Sequence, residues 1–84
     1  MIVIIEDDEI SGRLLIKMIS EYFDYKEFQW FKSLNSGMSF MSTFQSSSND
    51  ILLLDLYFED GKAWELLEQL KSGQLSFEGK IILM

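Results

Sequence analysis

Glu6, Asp7 and Asp8 stand in a row directly behind the apolar run Ile2-Val3-Ile4-Ile5, and a second apolar run, Ile51 to Leu54, ends on Asp55. Carboxylates brought together repel one another unless a cation offsets their charge or one of them stays protonated. A divalent ion is the natural solution. The chain has no cysteine and no histidine, which removes a disulfide framework, a thiol nucleophile and a histidine proton relay, and leaves oxygen as the ligand for any metal. Oxygen donors favour magnesium, manganese or calcium over zinc or copper. A calcium loop fails on its own pattern: Asp7, Glu9, Ser11 and Gly12 fit the first half of an EF-hand, but Met18 stands where the terminal glutamate is required.

Two strands and two helices must position these acids. The β-branched run of residues 2 to 5 reads as a strand buried on both faces, as in a parallel sheet, and residues 51 to 54 repeat it. From Glu9 the period changes to that of a helix, with Ile10, Leu14, Leu15, Met18, Ile19, Tyr22 and Phe23 as its apolar positions and Asp7 or Asp8 as its cap. "KEFQWFKS" reads as a second strand, in which Phe28 and Trp30 alternate with Gln29. Leu34, Met38, Met41 and Phe44 restore helical spacing before the serine-rich loop "SSSND". Asp60-Gly61 supplies a turn into "KAWELLEQLK", where Ala63, Leu66, Leu67 and Leu70 mark one helix face, and Gly73 and Gly79 bracket the exit towards a last buried-looking run, "KIILM". Strand and helix thus alternate four strands long, the order of an α/β protein with right-handed crossovers.

In open parallel sheets ligands bind outside the carboxyl ends of the strands. Glu6, Asp7 and Asp55 would meet there if the first and third strands pair. Taken alone, the acids of residues 6 to 8 are ordinary for a helix start, where they favour the macrodipole. With Asp55 beside them the metal reading gains the upper hand. The bulk properties agree with a single domain: 84 residues, 48% of them hydrophobic, make a globular chain whose one core holds it together with little to spare. A net charge of −7 argues against nucleic acid as a partner. "MIVII" is too short for a signal-peptide core, and no apolar stretch spans a bilayer, so the expected location is the cytoplasm, without membrane contact.

"IVIIEDDEISGRLL" and "NDILLLDLYFEDGKAWELLEQLK" together resemble the response-regulator receiver domain, the phosphoacceptor module of two-component signalling. The resemblance implies a doubly wound, flavodoxin-like parallel sheet of order 2-1-3-4, incomplete because the fifth strand and the last helices are absent. It implies Asp55 as phosphoacceptor and Asp7 as direct ligand of magnesium, or of manganese in its place. Glu6 would hold the ion through water, and Tyr57 would add its backbone carbonyl. Asp8 falls one place beyond the acidic pair. The implied partner is a sensor histidine kinase or phosphotransfer protein, and the implied role is regulatory, with the domain catalysing its own phosphorylation and dephosphorylation. A phosphatase of the haloacid dehalogenase kind would need an acid two residues after Asp55, where Tyr57 stands.

Three departures from the family pattern are visible. Glu59 stands where a proline is usual, Ala63 replaces a frequent glycine, and the sequence stops at Met84, about where the fourth strand would deliver a Ser or Thr and before the phosphate-binding Lys. These set up an alternative: a truncated or degenerate receiver that serves as an interaction module without phosphotransfer. They also lead to an expectation that "KIILM" forms an unprotected apolar edge through which the chain self-associates.

Overall fold

The computed structural model describes residues 1–24 and 27–84. Four parallel strands form the sheet: β1 (Ile2–Ile5), β2 (Phe28–Phe31), β3 (Ile51–Leu54) and β6 (Lys80–Leu83), in the order β2-β1-β3-β6. A second, two-stranded ribbon of β4 (Tyr57–Phe58) and β5 (Gly61–Lys62) interrupts the path from β3 to the third helix. Lys26, with which the expected second strand opens, lies outside the described residues.

Register follows from the apolar runs. Ile5 pairs with both Phe31 and Leu54, and Leu54 with Leu83, so the carboxyl ends of the strands lie level. Strand alternation then divides the side chains between two faces. Val3, Ile5, Leu52 and Leu54 pack against α2 (Leu34–Met41) and α3 (Ala63–Ser72), where Leu34, Met41, Ala63 and Leu66 complete a fully buried cluster. Ile2, Ile4 and Leu53 face the other way, onto Leu15, Ile16 and Ile19 of α1 (Glu9–Tyr22).

The orientation of α1 corrects the face expected from its spacing. Gly12, Leu15, Ile16 and Ile19 turn to the sheet, whereas Ile10, Leu14, Met18, Tyr22 and Phe23 are exposed. Gly12 causes the rotation, because a Cβ there would come within 2.2 Å of the Trp30 ring, so the helix settles its bare backbone on the indole. "KIILM" also differs from its buried look: Ile81 is half-buried, but Ile82 and Leu83 are each 48% exposed on the sheet edge. The second helix ends at Met41, and Phe44 reaches the core from beyond it, stacked on Phe40 at 4.8 Å.

Candidate metal and phosphoacceptor site

Glu6 continues β1 and Asp55 continues β3 at the level carboxyl edge. The Glu6 N–H donates to the Phe31 carbonyl and the Asp55 N–H to the Ile5 carbonyl, each at 3.0 Å, so the sheet ladder places both residues. Asp7 follows Glu6 in the turn before α1. Carboxylate oxygens of Glu6, Asp7 and Asp55 lie within 4.8 Å of one another. Glu6 is 6% exposed, and its two companions are half-buried.

Each acid has a backbone donor of its own. Glu6 Oε1 accepts the Asp8 N–H at 3.0 Å, Asp7 Oδ2 accepts the Glu59 N–H at 3.3 Å, and Asp55 Oδ1 accepts the Leu56 N–H at 2.9 Å. Among the described residues none of the three forms an ion pair. Burial raises the Glu6 carboxyl above its ordinary value, and the neighbouring Asp55 and Asp7 carboxylates push the same way, against the Asp8 N–H. A hard cation would remove that electrostatic cost. The donor set, carboxylate oxygens only, suits magnesium, which takes one or two protein carboxylates and keeps several waters.

Asp8 belongs to the helix instead. Its Oδ2 accepts the Ser11 N–H at 2.9 Å as the α1 cap, and the Ser11 contacts hold its carboxyl below the usual range. Tyr57 opens β4, two residues past Asp55, with its ring exposed.

The loop from Asp55 to Lys62 is fastened by groups that sequence reading passed over. The Asp60 carboxylate accepts the Leu34 and Asn35 N–H groups at 3.0 and 2.9 Å, capping α2 from another part of the chain. The Ala63 N–H closes the ribbon onto the Leu56 carbonyl at 3.0 Å. Gly61 turns at φ 155°, where a Cβ would press on Glu65 and Leu34. The Asp60-Gly61 pair signalled a turn, but the partner of the carboxylate lies 26 residues away and leaves no local mark.

A solved structure of the MaeR response regulator bound to beryllium trifluoride superimposes on the chain with a TM-score of 0.80 at 17% identity. The fold is that of a response-regulator receiver domain. The match covers 99% of this chain and 64% of the MaeR chain. No protein-family model and no curated protein matches the sequence. The sheet order β2-β1-β3-β6 is the 2-1-3-4 order expected for a receiver, with the β4–β5 ribbon inserted between its third and fourth strands. No helix among the described residues is long and apolar enough to cross a membrane.

Proposed function

We propose that the domain is a regulatory phosphoacceptor: Asp55 takes a phosphoryl group from a sensor histidine kinase, a phosphotransfer protein or a small phosphodonor. An Asp55 carboxylate oxygen attacks phosphorus in line, the bond from phosphorus to the donor breaks, and the donor leaves with the electron pair. Asp7, Asp55 and the Tyr57 carbonyl would hold magnesium or manganese directly, with Glu6 acting through water. When bound, the ion offsets negative charge on the transferred oxygens.

The observation that carries this reading is the meeting of three carboxylates within 4.8 Å on the carboxyl edge of a receiver sheet. The phosphoryl mimic on MaeR is in keeping with it. A cytoplasmic location and a signalling role follow from the same reading. Incubation with magnesium and acetyl phosphate, or with beryllofluoride, should modify the native protein and leave Asp55→Ala unchanged, as read by intact mass or fluorine resonance. A folded native chain that stays unmodified would sink the proposal.

The β6 edge supports a second reading, an interaction module in which self-association matters and phosphotransfer does not. Ile82 and Leu83 present apolar side chains there. Slow phosphorylation of Asp55 with no effect on assembly would favour it. Phosphorylation that shifts the assembly state would favour the first.

A further inference from the structure

Trp30 stands third in β2, opposite Ile4. The indole is half-buried and crosses beneath the turn that carries the acids, with its Nε1–H donating to the Glu6 carbonyl at 2.9 Å. The N–H of the same residue already donates to the Phe31 carbonyl. Glu6 is therefore gripped on both sides by β2, once through the ladder and once through a side chain. The second grip matters because β1 ends at Ile5, and the Glu6 N–H is the last ladder bond from β1 to β2 before the turn.

The ring itself is fixed. Gly12 of α1 lies so close that no Cβ fits between helix and indole, and the Lys32 ammonium sits 4.9 Å from the ring centroid while it pairs with Glu9 at 3.0 Å. An indole held by helix, strand and cation can hold a carbonyl in turn. Packing alone would be satisfied by any large flat ring, but phenylalanine has no N–H to offer Glu6.

We propose that Trp30 is a positioning residue for the acidic pocket, its indole N–H fixing the Glu6 carbonyl and with it the direction in which the Glu6 and Asp7 carboxylates leave the sheet. The inference rests on the metal site proposed above. Its test is Mn²⁺ binding by the whole chain, read from the electron-spin resonance of the free ion, for native protein and Trp30→Phe. The phenylalanine variant should melt within a few degrees of native and bind Mn²⁺ about fivefold more weakly, the order of one lost hydrogen bond. Equal affinity in a folded Trp30→Phe overturns the inference and leaves the site reading standing. Native protein that binds no Mn²⁺ overturns both.

A second arm does not depend on how Trp30→Phe folds. In Trp64→Phe, Trp30 is the sole tryptophan, since the chain has two. Its emission should change as Mg²⁺ is added, with a midpoint matching displacement of Mn²⁺. Emission that stays constant while Mg²⁺ displaces Mn²⁺ counts against any link between the indole and the site.

Discussion

One face of the sheet is covered by two helices and the other by one. Against α2 and α3, Val3, Ile5, Leu52 and Leu54 are fully buried, and so are Leu34 and Leu66 from the helices. Against α1, Ile4 is fully buried and Ile82 stays 48% exposed, as Leu83 does at the β6 end of the other face, and a groove of about 480 Å³ remains among Ile2, Ile19, Phe23, Leu53 and Ile82. The helix on that side also points Leu14 and Met18 at solvent. Burying a large aliphatic side chain is worth roughly 1.5–3 kcal/mol. The face under α2 and α3 therefore carries most of the stability, and we propose that the open face, with Ile82 at its edge, is where the chain self-associates. Glu6 and Asp55 stand on the edge between the two, placed by the ladder, with Asp7 in the turn beside them.

The largest effect expected is on the closed face. Leu66→Ala should cost about 2–5 kcal/mol in urea unfolding, a large share of what a domain of this size possesses. Ile82→Ala, on the open side, should cost well under half as much, because the side chain is only half removed from water. Equal costs would erase the distinction between the faces.

Association sharpens the contrast from the other side. The native chain should sediment as a concentration-dependent mixture, and Ile82→Lys should weaken that self-association by at least about tenfold, or ~1.4 kcal/mol, while leaving the monomer folded. The lysine places a charge on the exposed edge beside Leu53, the device by which sheet edges are normally protected. A native chain that sediments identically at all concentrations removes the role assigned to the open face.

Gly12→Ala probes the close contact between α1 and Trp30 on that face. Alanine favours a helix interior by up to about 1 kcal/mol over glycine, yet here its Cβ would press into the Trp30 ring, and overpacking of that kind costs typically ~1–3 kcal/mol. The net change expected is a loss of about 1 kcal/mol in urea unfolding. A net gain would mean that α1 slides freely over the indole.

Much of the architecture was legible because parallel strands buried on both faces must be written as continuous apolar runs, and both Ile2–Ile5 and Ile51–Leu54 are. The acids were legible for a related reason: a strand end is where the apolar run stops. The rotation of α1 was not, since Ile10, Leu14 and Met18 keep helical spacing as well as Leu15, Ile16 and Ile19 do, and only the contact of Gly12 with Trp30 decides between them. The exposure of Ile82 and Leu83 answers to the expectation that "KIILM" forms an apolar edge, although its continuous apolar run also looks like a buried strand. The Trp30 bond to Glu6 and the Asp60 cap on α2 join residues 24 and 26 positions apart, beyond any local pattern.

The smallest effect expected concerns Glu6, where open face and acidic edge meet. Its carboxyl is raised above the ordinary 4.5 by burial and by Asp55 and Asp7, so the folded chain takes up a proton more readily than the unfolded one. Stability without metal should then be highest below pH 4.5 on this group's account and fall as pH rises through its folded value. The carboxylates held low act in the opposite sense and in another window: Asp8, Asp50 and Asp60 lose their contribution as pH falls below 3.8, and Glu9 below 4.5. Of these five carboxylates only Glu6 acts above pH 4.5. Glu6→Gln should flatten the fall, making the variant slightly more stable than native at neutral pH in chelator, with the advantage shrinking as magnesium is added and native Glu6 gains its counter-charge. Parallel native and Glu6→Gln melting curves from pH 5 to 8 in chelator would show that the three carboxylates do not strain the edge on which they meet.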